Sequence, residues 1–414
     1  MPVTEEPVFL EAAWLTAPES RAVLAGLTAD GSPARFVGGC VRDALIHPGQ
    51  DAADLDLATP ERPERVMALL GRAGIRVIPT GIAHGTVTAL AGRHAYEITT
   101  LRRDVACFGR RADVEFTRDF DEDAARRDFT INAMSCDGDG RLHDPFGGRF
   151  DLMTGRVRFV GVARERIAED YLRILRFFRF FARFGRDPAD PEALAACAEQ
   201  AQGIGRLSGE RVRSELFRIL ATARVLDALA LMQATGVLGH VIPWPVRLDR
   251  LARLIELHPR SDPLLRLAAL VRDAAPALAS VDRLADRLRL SNAQRFRLEQ
   301  LLELPLPDPT APPRAHRLGV HHVGGELYGD LIRLAQAQGR ASGEAALTLA
   351  ATWQPPAFPL DGQDLLARGV RPGPDLGRLL ESVRRTWEDA DFTLDRSACL
   401  ERLDALLADR GRRA

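Results

Sequence analysis

The chain changes character near residue 161, and this change restricts the folds that it can adopt. Up to that point, short runs rich in β-branched and aromatic residues alternate with glycine turns and helical patches. From Glu165 onward, apolar residues recur with the period of a helix in a sequence rich in Ala, Leu and Arg. We therefore predict an α+β fold, in which a head with a mixed β-sheet and helices precedes an all-helical remainder. The predicted strands are 35–37, 55–57, 76–78, 85–90 and 96–100.

The charge balance excludes one simple class of protein. The 56 basic and 57 acidic side chains give a net charge of −1, so the chain is not a uniformly basic nucleic-acid-binding protein. Every basic residue is an arginine. Positive charge is concentrated locally instead, because residues 156–186 contain nine arginines against three acids.

Cysteine usage and hydropathy indicate the compartment. The five cysteines are scattered without a C-x-x-C pair, which predicts reduced thiols, no disulfide framework and no zinc site. No apolar run reaches the length of a membrane span, and residues 1–33 contain no apolar leader segment. We therefore expect a cytoplasmic protein with no membrane partner.

A pair of glycines ends the first predicted strand. Gly38 and Gly39 stand between this strand and a helix that is predicted to begin near Cys40. Glycines let the backbone approach a ligand closely, and a helix N-terminus favours phosphate oxygens. Arg42 falls in the first turn of this helix, where it can reach the same anion. An ordinary tight turn is the alternative, and the pattern of a P-loop is absent.

Three carboxylates of the head are candidate metal ligands. Asp54 and Asp56 alternate in a predicted strand, which places both on one face. Neighbouring hard oxygen ligands suit Mg²⁺, which takes a couple of carboxylates and completes its shell with substrate phosphates. Glu97 lies on another predicted strand, where it is either a third carboxylate for two metals or an exposed strand residue. Two metals held in this way would activate a hydroxyl nucleophile and stabilise a leaving pyrophosphate.

Residues 126–134 open with charged side chains and then turn apolar, which we interpret as the start of a buried helix. Arg127 is a candidate for neutralising a triphosphate. Asp128 and Asn132 are four apart, so on one helical face they could hydrogen-bond a ribose hydroxyl. The alternative is that these are ordinary charges at the start of a core helix.

A further helix, predicted over residues 165–184, carries arginines on one side of its surface. The arginines within an arc of about 120° are Arg173, Arg176, Arg179 and Arg183. The predicted core residues on the opposite side are Ile174, Phe177, Phe178 and Phe181. Like charges at this spacing repel each other unless an anion compensates them, so we predict that the arginine stripe faces a ligand.

In their order and spacing these features resemble one family closely: the class II tRNA nucleotidyltransferases and bacterial poly(A) polymerases of the DNA polymerase beta superfamily. The strings that carry the resemblance are 38–43, 54–56, 80–88, 97–102, 126–134, 144–148 and 169–173. Residues 208–216 resemble the second neck helix of the family, and residues 361–365 and 369–374 resemble its tail more loosely.

The resemblance implies a role for each matching residue. Asp54 and Asp56 would bind the catalytic metals, with Glu97 as the third carboxylate. The residues implied to bind the nucleotide are Gly38, Gly39, Arg42 and Arg127 at the triphosphate, Asp128 and Asn132 at the ribose, and Asp170, Arg173, Arg176 and Arg179 at or near the base. The implied domains are an N-terminal extension (1–32), a catalytic nucleotidyltransferase head (33–160), a neck with the base-recognition helices (161–220), a helical body (221–305) and a tRNA-binding tail (306–414).

The activity implied by the resemblance is template-independent addition of CCA to the 3′ end of tRNA from CTP and ATP, with release of pyrophosphate. A poly(A) polymerase, a partial enzyme that adds only CC or only A, and an inactive RNA-binding relative remain alternatives. Intact Asp54, Asp56, Asp128 and Asp170 argue against the inactive relative. Arg272 precedes Asp273 where some relatives carry His-Asp, so we predict no phosphohydrolase site.

Overall fold

The computed structural model describes residues 7–49, 54–108, 111–273 and 278–413. Its head contains a mixed sheet and its remainder is helical, so the predicted fold class is confirmed. The first six residues of the predicted extension 1–32 lie outside the described residues. The strands are β1 (Arg35–Val37), β2 (Leu55–Thr59), β3 (Arg76–Gly81), β4 (Thr86–Ala91), β5 (His94–Thr100), β6 (Arg102–Phe108), β7 (Arg111–Phe116), β8 (Ser135–Cys136) and β9 (Leu142–His143), and the first five confirm the predicted strands.

The sheet brings two of the candidate carboxylates together. Among the described residues, seven strands run in the order β3-β4-β5-β2-β1-β8-β9, and β6 pairs with β7 in a separate hairpin. Strand β2 is parallel to β5 and antiparallel to β1. Leu55 and Leu57 of β2 are buried, and Asp56 between them is partly exposed, as the two-residue period of a strand requires. The register pairs Asp56 with Glu97 on β5.

Helices make up most of the rest of the described chain. They are α1 (Ala13–Thr16), α2 (Pro18–Thr28), α3 (Gly39–Ile46), α4 (Pro63–Arg72), α5 (Phe120–Ala125), α6 (Gly148–Thr154), α7 (Ala163–Glu169), α8 (Leu172–Phe184), α9 (Pro191–Glu199), α10 (Gly209–Leu220), α11 (Val225–Ala234), α12 (Val237–Val241), α13 (Leu248–Leu257), α14 (Pro263–Val271), α15 (Leu278–Arg287), α16 (Asn292–Glu303), α17 (Pro313–Val323), α18 (Gly325–Ala337), α19 (Glu344–Thr352), α20 (Gly362–Leu366), α21 (Pro374–Asp389) and α22 (Arg396–Arg413). Short 3₁₀ turns occur at Ile82–His84, Thr130–Asn132 and Ala201–Arg206.

The helix predicted over residues 165–184 is divided in two. Asp170 is extended (φ −153°, ψ 107°), so α7 ends before it and α8 begins at Leu172. The Asp170 carboxylate accepts a hydrogen bond from the backbone N–H of Leu172 (3.1 Å), which satisfies a free donor at the start of α8. This local capping explains why the helix restarts here.

The prediction of a helix over residues 126–134 is wrong. Helix α5 ends at Ala125, and Phe129 instead forms an isolated β-bridge with Phe159. The backbone then makes the 3₁₀ turn Thr130–Asn132 and enters β8. The bridge is stabilised by ring packing between Phe129 and Phe159, whose centroids are 4.7 Å apart, so a tertiary contact overrides the local helical pattern.

Two compact units make up the described chain. The first comprises residues up to Pro245 together with Leu284–Leu290, and the second comprises the rest from Val246 onward. In the first unit, the head core includes Trp14, Phe36, Leu57 and Tyr96. In the second unit, a separate core around Trp387 and Val383 joins α20, α21 and α22. The candidate site described next lies entirely within the first unit.

Candidate active site

A cavity of about 470 Å³ in the first unit brings most of the candidate residues together. Its lining consists of Gly38, Gly39, Arg42, Asp56, Arg127, Asp128, Asn132, Asp170, Leu172, Arg173, Arg176, Phe180 and Arg211. Asp54, Glu97 and Arg179 are the candidates that do not line it. Residues that are far apart in the sequence, from β2, α3, α8 and α10, therefore surround one space that is large enough for a small ligand.

The glycine turn leaves room for an arginine at the cavity wall. Gly38 has a φ of +73°, a conformation that favours glycine. A Cβ atom at this position would lie only 2.8 Å from Nη1 of Arg127. Helix α3 begins directly afterwards at Gly39, as the sequence predicted. The glycine thus allows the Arg127 guanidinium to reach the N-terminus of α3.

The carboxylates of the head are crowded. Asp54 stands exposed just before β2, and Glu97 is exposed on the neighbouring strand beside Asp56. Burial, followed by the negative charge of Glu97, raises the pKa of Asp56 to about 6, although Arg127 opposes the shift. Such crowding of like charges is typical of sites that hold a cation.

The donor set fits a metal that is shared with the substrate. Within the described ranges, no group of three or more His, Cys, Asp or Glu side chains is arranged to hold a metal ion. Mg²⁺ is commonly held by only one or two carboxylates, with phosphate oxygens and waters completing its octahedron. Asp54 and Asp56 fit that incomplete set.

Asp56→Asn is expected to stabilise the metal-free protein at neutral pH. The folded-state pKa of Asp56 is above that of aspartate in an unfolded chain, so the ionised carboxylate is disfavoured by folding. The stability linked to its protonated form is present below about pH 4 and is lost as the pH rises through about 6. Asparagine should therefore raise the free energy of unfolding by about 1–3 kcal/mol above this range and leave it unchanged below it.

Urea unfolding of the metal-free protein at both ends of this range measures the effect. Asp139→Asn in the exposed turn before β9 is the matched control, because Asp139 lies outside the cavity. An equal change at both pH values, or a loss of stability at neutral pH, would contradict the account.

A hydrogen-bonded chain of side chains crosses the cavity wall. Nη1 of Arg42 donates to Oδ1 of Asn132, and Nδ2 of Asn132 donates to Oδ1 of Asp128 (3.0 Å). Nε of Arg176 donates to Oδ2 of Asp128 (2.6 Å). Asp128 and Asn132 are thus in contact, although not on the helical face that the sequence predicted.

Asp128 is buried, and its carboxylate accepts three hydrogen bonds. Its Oδ1 also accepts from the backbone N–H of Phe129 (2.9 Å), and its Oδ2 is bridged by a second nitrogen of Arg176. Burial opposes ionisation of Asp128, but the positive charge of Arg176 and the hydrogen bonds outweigh it and lower its pKa. The side chain is therefore a fixed carboxylate at the cavity wall.

Asp170 and Arg173 both line the cavity, and both side chains are held in place. Oδ2 of Asp170 accepts from Nη2 of Arg211 on α10 (2.7 Å). Nη1 of Arg173 donates to the carbonyl of Arg166 (2.7 Å) and to Glu169. A carboxylate accepts hydrogen bonds and a guanidinium donates them. Together they can therefore bind a ligand that presents one donor beside one acceptor.

The premise of the arginine-stripe prediction, that the charges lack a partner within the protein, is wrong, whereas a ligand on this face stays a prediction. The opposite face of α8 is buried, as predicted, but every arginine of the stripe is compensated by a carboxylate of the protein. The pairs are Arg173–Glu169, Arg176–Asp128, Arg179–Glu215 and Arg183–Asp43. The charge pattern alone therefore does not require a ligand, and the case for one depends on the cavity that Arg173 and Arg176 line.

Sequence reasoning missed three residues of the lining, which are Leu172, Phe180 and Arg211. Arg211 lies in the string 208–216, which resembles the second neck helix, so a signal for it was present. Phe180 lies among several phenylalanines of α8, but at 100° per residue it falls on the arginine face, so helical periodicity could have separated it from the core residues beside it. Only the structure shows that it borders the cavity.

Comparison with known proteins shows which proteins share this sequence pattern and this fold. Residues 34–158 match the family described as "Poly A polymerase head domain", and residues 189–245 match "Probable RNA and SrmB- binding site of polymerase A". The fold is shared with the crystal structure of the Bacillus stearothermophilus CCA-adding enzyme in complex with CTP, with a TM-score of 0.73 and 24% identity over 96% of this chain and 100% of that chain. Residues 34–158 thus form a head domain of the poly(A) polymerase type.

Two relatives define the family more narrowly. The mouse (Mus musculus) "CCA tRNA nucleotidyltransferase 1, mitochondrial" is 35% identical over 380 residues, which cover 88% of this chain and 85% of that protein. The "CCA-adding enzyme" of Lactobacillus delbrueckii subsp. bulgaricus is 30% identical over 370 residues, 87% of this chain and 91% of that protein. The chain belongs to the family of CCA-adding tRNA nucleotidyltransferases. Among the described residues, no helix combines the length and apolarity needed to cross a membrane.

Proposed function

We propose that the protein adds C, C and A in turn to the 3′ end of tRNA, using CTP and ATP and no nucleic-acid template. The observation that carries this proposal is the single cavity in which Asp56 of the head and the glycine turn face Asp170 and Arg173 of the helical region. One side of this space offers groups for a triphosphate and the other offers groups for a base. Membership of the family supports the same activity.

The triphosphate end is proposed to bind at the glycine turn. Arg127 lies against Gly38, and the N-terminus of α3 at Gly39 presents backbone N–H groups to the same place. A guanidinium group binds phosphate oxygens through two parallel hydrogen bonds. Its positive charge also stabilises the negative charge that develops on the leaving pyrophosphate. Arg42 stands behind them, since it is almost fully buried and is tied to Asn132.

Enzymes of this family are in general dependent on divalent metal ions. We propose Mg²⁺, held by Asp54 and Asp56, with Glu97 as a third carboxylate that adds negative charge from the neighbouring strand. When bound, a pair of such ions favours ionisation of the attacking 3′-hydroxyl and neutralises the transferred phosphate. In the chain itself, the charge of Arg127 favours the ionised form of Asp56 against burial and Glu97, and the Asp56 side chain borders the cavity.

The base is proposed to be chosen by Asp170 and Arg173. Cytosine and adenine both present an exocyclic amino donor beside a ring-nitrogen acceptor, which a carboxylate and a guanidinium satisfy. Guanine and uracil would turn a carbonyl oxygen toward the carboxylate, so they are rejected. The Arg211 contact fixes Asp170, which keeps this recognition edge in place between one nucleotide and the next.

The ribose is proposed to be recognised at Asp128 and Asn132. The Asp128 carboxylate accepts three hydrogen bonds and also forms an ion pair with a second nitrogen of Arg176, so a ribose hydroxyl that donates to it competes with these partners. Arg176 and Arg179 lie on the same helix behind this contact. Arg176 forms a salt bridge with Asp128, and Arg179 forms one with Glu215, and these contacts stabilise the cavity wall.

The helical parts are proposed to hold the acceptor arm of tRNA by its shape and backbone, as RNA duplexes usually are. In this proposal the head spans 33–160, the neck 161–220, the body 221–305 and the tail 306–414. A cytoplasmic location stays a prediction.

The test uses tRNA that lacks its last three nucleotides, incubated with each nucleoside triphosphate alone and with CTP and ATP together. Sequencing of the products should show CC with CTP alone, CCA with both, and no extension with UTP or GTP. Long A-tails from ATP alone would identify a poly(A) polymerase. A stop at CC in the presence of both nucleotides would identify a partial enzyme.

A further inference from the structure

The ring of Phe180 is surrounded by positive charge. Phe180 is 4% exposed and borders the cavity. The guanidinium carbons of three arginines lie close to its ring centroid: Arg179 at 4.3 Å, Arg176 at 5.3 Å and Arg42 at 5.4 Å. All three distances are within the range of cation–π attraction, which is strengthened by desolvation.

The three arginines have different carboxylate or amide partners, and Phe180 is the group that they share. Arg42 comes from α3 of the head, whereas Arg176 and Arg179 come from α8. Arg42 is bonded to Asn132, Arg176 to Asp128, and Arg179 to Glu215. Arg42 and Arg176 belong to one hydrogen-bonded chain, through Asn132 and Asp128, and Arg179 belongs to a second one with Glu215. The aromatic ring contacts the guanidinium groups of both systems.

The ring is itself rigidly placed. It meets Phe129 edge-on, with centroids 5.1 Å apart, and stacks on Phe184 at 5.9 Å. Phe184 in turn lies 4.5 Å from the Arg42 guanidinium, so Arg42 has an aromatic contact from each of two rings. An arginine side chain has many rotamers, and fixing it in advance removes an entropic cost from ligand binding.

We propose that Phe180 is a positioning residue for nucleotide binding. Its ring fixes the guanidinium groups of Arg42 and Arg176, and through them Asn132 and Asp128, before a nucleotide enters. The inference rests on the proposed function, because it assigns these groups to the nucleotide. If Phe180 were only an apolar part of the core, an aliphatic side chain of similar size would replace it without effect on binding.

Phe180→Leu and Phe178→Leu separate these roles. Phe178 lies on the same helix, is fully buried and packs against the Phe177 ring at 5.2 Å, with none of the guanidinium contacts described for Phe180. Both substitutions keep an apolar side chain and remove a ring from the core, so their losses in thermal stability should be similar. Phe180→Tyr keeps the ring and is expected to behave like the unaltered protein.

The measurement is the Kd for CTP by titration calorimetry on the full-length protein with Mg²⁺ and without tRNA. We expect Phe180→Leu to raise the Kd about tenfold and Phe178→Leu to leave it unchanged. An unchanged Kd in Phe180→Leu, or an equal rise in both leucine variants, would overturn the inference. Nucleotide addition by the unaltered protein and Phe178→Leu is assayed separately, so failure of both to extend tRNA counts against the proposed function itself.

Discussion

Replacing Asp54 and Asp56 together by alanine is expected to lower nucleotide incorporation by about 10³-fold or more, while tRNA binding changes little. The two carboxylates stand at the start of β2, and Asp56 borders the cavity, so their loss removes the negative charge that would hold the metal ions. Neither side chain is part of the apolar core, so the fold should persist. Single-turnover extension of tRNA and a filter-binding measurement of tRNA affinity give the two quantities.

The head offers a matched control for this change. Asp137 and Asp139 form a second D-x-D string, but they lie in the turn before β9 and do not line the cavity. Their double replacement by alanine should leave incorporation close to that of the unaltered protein. Residual incorporation within tenfold of normal in the Asp54/Asp56 variant would show that the assignment of the metal ligands is wrong.

Arg173→Ala is expected to reduce discrimination between CTP and UTP by about 10- to 100-fold, since a well-placed bidentate contact contributes about 1–3 kcal/mol. In the structure Arg173 and Asp170 both line the cavity, and Arg173 is held by Glu169 and by the carbonyl of Arg166. Without Arg173, the ring nitrogen of cytosine loses its hydrogen-bond donor, and Asp170 alone contacts the base. The measurement is the ratio of kcat/KM values for CTP and UTP on tRNA that lacks CCA.

Arg164→Ala serves as the control for base choice. Arg164 lies on α7, is mostly exposed and pairs with Glu199 at the surface, so its removal deletes the same charge away from the cavity. The CTP to UTP ratio should not change in this variant. If Arg173→Ala rejects UTP and GTP as strongly as the unaltered protein, base recognition by this pair is refuted.

Much of the head could be predicted from the sequence because local patterns determine it. The alternation of Leu55, Asp56 and Leu57 predicts a strand with one polar face, and the structure has that strand. A glycine pair followed by apolar residues predicts the turn and the start of α3, both of which are present. The sequence did not determine whether the strand of Glu97 pairs with that of Asp56. In the structure β2 pairs with β5, and their register places Glu97 beside Asp56.

The predictions that failed concern features that depend on contacts between residues far apart in the sequence. The bridge between Phe129 and Phe159 replaces the predicted helix over residues 126–134, and no local pattern reports a partner thirty residues away. The arginines of α8 appeared to need an outside anion because their carboxylate partners, such as Asp128 and Glu215, lie on other elements. The position of Phe180 at the cavity likewise depends on how α3 and α8 meet.

The central claim is that the protein itself, without a nucleic-acid template, selects C and A for the tRNA end. It is tested most directly by offering tRNA that lacks its last three nucleotides all four nucleoside triphosphates at equal concentration and sequencing the 3′ ends. The account predicts ends that carry CCA and then stop. Ends of mixed sequence, or ends that continue beyond CCA as a homopolymer, would contradict it.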